Sequence, residues 1–285
     1  MPIWVRFSAS AATVGRSSSR RALKTSAKPT SATAVDDGPP PESTESIEVA
    51  DATLAWGVSD QSNARSHNPT AINFLAAGVA NPGRGGVELP RARWKAVVGD
   101  VSIQKRTAAG AWRTATWAGL GTDPHGAPIG MSGPFSGHRV LLEGGAGTLD
   151  PGSEDATLAW EGTFSVVYYG GNSSFTVTDP RLEVSAGEGK LTGKLGGWVS
   201  DREDPTVCKP VRPRRAPLAT LGEVDVTDTG LVVEPAYRGV EVSGSVEQVR
   251  SGEDWGSFPA GMVAFLRPLG IDQFWYSTGL STDGT

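Results

Sequence analysis

The sequence predicts an all-β protein, a mainly antiparallel β-sandwich with one or two short helices behind a disordered N-terminal tail. Two observations predict the sandwich. The 37 Gly and 20 Pro residues among 285 punctuate runs that are rich in Val, Thr and Trp, which favours many short strands joined by tight turns. Residues 157–169 also alternate between apolar and polar side chains, as a half-buried strand does. The tail follows from a third observation, the composition of residues 1–47.

The N-terminal segment, residues 1–47, is rich in Ser, Ala, Thr and Pro and carries few large apolar side chains. Such a segment cannot bury enough apolar surface to offset the entropy lost on folding, so we predict that it is disordered. The pair Arg20-Arg21 is similar to a twin-arginine export signal, but no apolar stretch of about 7–15 residues follows it. The folded domain is therefore expected over residues 48–285.

The hexamer Asp-Ala-Thr-Leu-Ala-Trp occurs twice, at residues 51–56 and 155–160. A true repeat would imply two copies of one domain. The residues that follow diverge at once, because GVSDQSN is polar and lacks a strand period whereas EGTFSVVYY alternates. We therefore predict a strand at both places, in different surroundings, and not two equivalent domains.

The clearest strand covers Thr157–Tyr169, in which the large apolar side chains share one parity. A glycine turn at 170–174 leads into a return strand at 175–184, where the apolar parity shifts across Asp179-Pro180. Since proline cannot donate to a central ladder, a bulge or an edge is expected there. Further strands are predicted at 96–105, 139–143, 218–226, 231–234 and 239–249, and helices at 69–77 and 258–266, with Pro259 in the first turn of the second.

Charge and cysteine content exclude several function classes. The net charge of −5 argues against a nucleic-acid-binding protein, which normally carries a basic excess. The sequence contains no run of about 18 apolar residues, so no transmembrane helix is predicted. Cys208 is the single cysteine, so the chain can form neither an internal disulfide nor a multi-cysteine zinc site, and we expect a free thiol.

The search for catalytic motifs finds none, and we predict that the chain is not an enzyme. His67, His125 and His138 are too far apart in sequence for a HExxH-type ligand pair. The segment GMSGP at 130–134 has proline where a nucleophile elbow needs its last glycine. The glycine-rich segment 187–193 precedes a strand pattern instead of the helix that a phosphate loop requires.

Four segments, in this order, resemble the HtaA-type domain of actinobacterial cell-surface and secreted haem-uptake proteins. They are 52–78, which opens with Leu-x-Trp-Gly-Val, then 160–184, which closes on Asp-Pro-Arg-Leu, then 218–226 and 255–279. The resemblance implies a β-sandwich over residues 48–285 in a protein that is secreted or displayed on the cell surface. It implies haem, haemoproteins or cell-envelope components as partners. The family usually continues into one more strand, which leaves open a truncation at the C-terminus.

The residues that would hold iron differ from the family's pattern. In haem-binding members, a tyrosine after Trp-Gly-Val ligates iron, and a histidine of the central hairpin supports that tyrosine. Here His67 is the residue between Trp56 and Gly78 that could ligate iron well, and the hairpin position holds Tyr168 and Tyr169. Tyrosine and histidine are both known haem ligands. The resemblance therefore implies haem as the candidate cofactor, with Tyr169 as ligand, His67 in support and Tyr168 beside them, and no other metal.

An alternative function remains open at this point. The same scaffold can persist after its ligand is lost, because function belongs to a site and not to a fold. The chain would then be a structural or adhesive module of the cell envelope.

Overall fold

The computed structural model describes residues 3–7, 12–14, 46–84, 86–201 and 203–280. Antiparallel strands dominate these residues, which confirms the predicted all-β class. The strands are β1 (Ile3–Phe7), β2 (Ala12–Val14), β3 (Ile47–Trp56), β4 (Phe74–Ala77), β5 (Val97–Val98), β6 (Val101–Arg106), β7 (Trp112–Thr114), β8 (His138–Asp150), β9 (Asp155–Ala159), β10 (Thr163–Tyr168), β11 (Ser173–Ser185), β12 (Glu188–Ser200), β13 (Cys208–Pro210), β14 (Arg214–Leu221) and β15 (Gly230–Val233). The α-helix is α1 (Ala260–Leu266).

The strands form one hydrogen-bonded network whose main path runs β13-β12-β11-β9-β8-β3-β1-β15. Strand β11 pairs with β10 up to Thr178 and with β9 from Arg181 onward. The register shift between these two residues is the irregularity expected at Asp179-Pro180. Strands that change partner at a bulge make the corners of a sandwich, and the buried side chains accordingly form one core cluster.

The two copies of the hexamer lie in β3 and β9, on opposite sides of β8. They have different neighbours, so the prediction of two non-equivalent strands is confirmed. Trp160, at the end of the second copy, donates its indole N–H to the carbonyl of Ala52 in the first at 2.9 Å. Gly145 permits this approach, because a Cβ there would lie 2.2 Å from Nε1 of Trp160.

The predicted single strand Thr157–Tyr169 is interrupted between β9 and β10. Gly162 lies in the break with a φ of 124°, and a Cβ there would lie 2.5 Å from Val101. The prediction that this segment is buried on one face only is wrong for β10, where Ser165 is fully buried. Strand β10 is paired along both edges, with β4 and with β11, and its side chains from Phe164 to Tyr168 are buried on both faces.

The predicted helix at 69–77 is wrong, because Phe74–Ala77 form β4 against β10. All four side chains of β4 are buried, and burial between two layers outweighs local helical preference. The predicted helix at 258–266 is confirmed as α1, which begins at Ala260 directly after Pro259.

The predicted strand at 239–249 is also wrong, since no strand forms there in the described residues. The Gln248 amide takes the place of a ladder, accepting from the N–H of Val242 and donating to the carbonyls of Val240 and Gly256. Cys208 is a half-buried free thiol, as expected. Within the described ranges, none of the helices has the length and apolar character to cross a bilayer.

The prediction that the chain is disordered from residue 1 is wrong for Ile3–Phe7. These residues form β1, which is inserted between β3 and β15. Ile3 and Val5 are fully buried, whereas Trp4 and Arg6 share the opposite parity. The short β2 pairs with β3. Residues 8–11 and 15–45, including Arg20-Arg21, lie outside the described residues, and so does the prediction made for them.

Candidate ligand-binding site

Tyr168, at the end of β10, is fully buried in a cluster of aromatic rings. Its ring lies 4.9 Å from that of Phe274 and 6.4 Å from that of Trp275, centroid to centroid. The hydroxyl has no hydrogen bond of normal geometry among the described residues, although the side chains of Ser59 and Ser62 are close enough to affect it. Burial raises the pKa of Tyr168 far above its ordinary value, against a smaller lowering by the two serines. The phenol therefore stays protonated.

Tyr169 is the first residue of a 3₁₀ turn, Tyr169–Gly171, and it is half-buried. Its φ of 52° is unusual for a residue with a side chain. Its N–H donates to Oδ1 of Asn73 at 3.0 Å, and its ring meets Phe274 edge-on at 5.8 Å. The loop before β4 thus holds this residue in place.

His67 is exposed in a tight turn. The turn is closed by the N–H of Ser66, which donates to the carbonyl of Ala71 at 2.9 Å. His67 therefore lies at the surface, whereas Tyr168 is fully buried. The segment after Trp-Gly-Val and the central hairpin do meet, but through Ser59, Ser62 and Tyr168.

A buried polar network beneath the sheet contains His138. Oδ1 of Asn63 accepts from the His138 N–H at 2.7 Å and from the Ser136 hydroxyl at 2.8 Å. Ser136 has one proton and donates it to Asn63, so its oxygen must accept from Nδ1–H of His138, 2.7 Å away. Nε2 of His138 is then unprotonated, and this atom is buried without a hydrogen-bond partner among the described residues. Burial, followed by the charge of Lys105, lowers the pKa of His138 to about 3.

Lys105 faces His138 across the β6–β8 pair. Its ammonium donates to the carbonyls of Gly119 and Ser136 at 2.9 Å each and also to that of Thr122. Three carbonyls match the three donors of an ammonium. Burial lowers the pKa of Lys105, while the charge of Asp123 raises it. We interpret this lysine as a structural support for the loop between β7 and β8.

The opposite face of the same strands forms an open cleft, which we call the basic cleft. Five neighbouring strands build it in the order β1, β3, β8, β6 and β7. Trp4 lies opposite Ala55, and Arg106 lies opposite Trp112. The outward-pointing side chains of the five strands therefore form one surface. The cleft has a volume of about 540 Å³, within the usual range for small-molecule sites.

The described side chains that line the basic cleft carry a net positive charge. The described residues that line it include Arg6, Arg106 and Arg139 and no aspartate or glutamate. The guanidinium of Arg139 lies 3.9 Å from the centre of the Trp112 ring, and that of Arg6 lies 5.1 Å from the Trp4 ring. Nε of Arg139 donates to Gln104 at 2.9 Å. Burial, then the charge of Arg6, lowers the pKa of Arg139 to about 10, so the side chain remains a cation at neutral pH.

Sequence reasoning missed both the buried network and the basic cleft. The alternation in Ile3–Phe7 was a usable signal, because Trp4 and Arg6 share a parity. The residues on β6, β7 and β8 are recognisable as neighbours only once the strand register is known.

Comparison of the chain with protein-family models, with curated proteins and with solved structures finds no match. The described residues also contain no group of three or more His, Cys, Asp and Glu side chains that could hold a metal ion. The resemblance to HtaA-type domains therefore stays a hypothesis.

Proposed function

We propose that this chain is a non-enzymatic module of the cell envelope, secreted or displayed at the surface, that keeps an HtaA-like scaffold without an accessible iron ligand. Its role is then structural or adhesive. The supporting observation is the complete burial of Tyr168 at the hairpin position.

Iron ligation by Tyr168 does not fit its surroundings. Ferric iron binds the phenolate, whereas burial raises the pKa of Tyr168 and keeps the hydroxyl protonated. The ring is also covered by Phe274 and Trp275. His67 has a suitable imidazole, but it lies in a turn whose residues 67–70 are all exposed.

Haem binding through Tyr169 is the second candidate function. Tyr169 is half-buried, its backbone is fixed by Asn73 and its ring lies against Phe274. A ligand position that is partly accessible and held from both sides is the observation that favours this candidate.

A haemin titration followed at the Soret band separates the two candidates. We expect no saturable Soret shift with the wild-type protein. A saturable shift that Tyr169→Phe abolishes and Tyr168→Phe preserves would establish haem binding and overturn the proposed loss. His67→Ala tests support of the ligand, because only an assisting histidine would change the affinity without removing the shift.

Export is tested separately in the native host. Cell fractionation should place the protein in the envelope or the medium. Recovery from the cytosol alone would contradict a role in the envelope.

A further inference from the structure

We propose that the basic cleft is a binding site for a small, flat aromatic anion that carries a carboxylate or sulfonate group. This inference does not depend on haem iron, because no metal ligand enters it. It rests on the charge of the cleft, on its two indole rings and on its position on the outer face of a sheet.

The charge of the cleft selects an anion. Three guanidinium groups line it, and none of the lining residues that the structure describes is a carboxylate. The described ion pairs involve other cations, such as Arg250 with Glu241 at 3.0 Å and Arg238 with Asp254 at 2.8 Å. Arginine presents a planar fork of donors that matches a carboxylate or sulfonate, and a bound anion would offset the mutual repulsion of these cations.

The aromatic side chains select a flat partner. Trp4 and Trp112 lie on strands at opposite ends of the five-strand surface, and Trp112 is 37% exposed, which is unusual for so large an apolar ring. The Arg139 guanidinium lies over the Trp112 ring, 3.9 Å from its centre. Ala55 and Leu141 form an apolar floor between the two indoles.

The neutral His138 beneath the cleft adds no charge, because its Nδ1–H is held by Ser136 and Nε2 is unprotonated. The positive charge of the cleft therefore comes from its three arginines. The chain as a whole carries a net charge of −5, which disfavours a long polyanion that would extend beyond the cleft. Both facts favour a small anion over a polymer.

Binding is tested with the full chain and with 1-pyrenesulfonate, a flat monoanion without metal. Tryptophan fluorescence quenching and probe anisotropy report the titration. The charge-reversed control is 1-pyrenemethylamine, and inorganic sulfate is the non-aromatic control. We expect saturable binding of the sulfonate that weakens as salt is added, with little binding of the amine and little competition by sulfate at equal concentration.

Variants assign the binding to the cleft. Arg139→Gln and Trp112→Leu should each weaken the sulfonate about tenfold or more, as expected for a charge-assisted contact or an aromatic contact. Arg250→Gln removes the same charge from an exposed pair elsewhere and should change the affinity less than about twofold. Circular dichroism and thermal unfolding verify that each variant is folded.

Several outcomes would overturn the proposal. These are absence of sulfonate binding, equal binding of the amine, equal competition by sulfate, or an effect of Arg250→Gln as large as that of Arg139→Gln. A haemin result leaves the inference unaffected, because the pyrene probes contain no iron.

Discussion

Asn63 holds together the polar network beneath the basic cleft, and Asn63→Ala should destabilise the protein strongly. The side chain makes four hydrogen bonds. Oδ1 accepts from Ser136 and from the N–H of His138, and Nδ2 donates to the carbonyls of Gly57 and Ser59 at 3.2 Å each. Asn63, Ser136 and His138 are all almost completely buried, so water cannot readily replace the lost partners.

The magnitude follows from which groups are left without a partner. The His138 N–H has no second acceptor among the described residues and should cost about 1–3 kcal/mol when left buried and unpaired. The Ser136 hydroxyl can instead turn toward Nδ1 of His138, which moves the imidazole proton to Nε2 and recovers part of the loss. The half-buried carbonyl of Gly57 can bind water. Together with the small cavity, we expect a loss of about 2–5 kcal/mol in the free energy of unfolding.

Urea unfolding of wild type and Asn63→Ala measures this loss. The matched control is Asn68→Ala, because Asn68 is exposed and its side chain accepts two hydrogen bonds from Thr70. The control should lose less than about 1 kcal/mol. Nitrogen-15 NMR of the imidazole should find the Nδ1–H tautomer in the wild-type protein. A loss below 1 kcal/mol for Asn63→Ala, or an Nε2–H tautomer in wild type, would refute the reasoning.

Three further predictions concern pH, packing and the N-terminal strand. Because the pKa of His138 is lowered from 6.5 to about 3 in the folded state, the unfolded chain takes up a proton first as pH falls. Stability should thus be lost between pH 6.5 and 3 by up to about 5 kcal/mol, and unfolding curves of His138→Gln should lack this part of the pH dependence. Gly145→Ala forces a Cβ to within 2.2 Å of Trp160 and should lower the free energy of unfolding by about 1–3 kcal/mol. Gly121→Ala is the control, because its Cβ would meet nothing within 4 Å, and it should cost less than about 1 kcal/mol. Equal losses in thermal unfolding would contradict the packing argument. Ile3→Ala should lower the free energy of unfolding by about 2–5 kcal/mol, because β1 is docked in the sheet. Val232→Ala is the control, since its side chain is 49% exposed, and its effect should stay within about 0.5 kcal/mol. An Ile3→Ala variant as stable as wild type would show that β1 does not contribute to the core.

The sequence by itself determined the fold class and several local features. Glycine and proline punctuation, the period of two in β9 and the proline of the Asp179-Pro180 bulge all act within a few residues. So does Pro259, whose fixed φ precedes α1. Local steric and hydrogen-bonding rules can be read without knowledge of the partner strands, and for this reason these predictions held.

The tertiary structure decided which segments become neighbours. The local sequence predicts a helix at Phe74–Ala77, but pairing with β10 makes this segment a strand. Ile3–Phe7 belongs to the sheet because it pairs with both β3 and β15. The burial of Tyr168, the exposure of His67 and the convergence of Arg6, Arg106 and Arg139 on one face depend on pairings between residues far apart in sequence. Strand register sets which side chains share a surface, and long-range pairing sets register, so the composition and period of one segment alone could not have located this site.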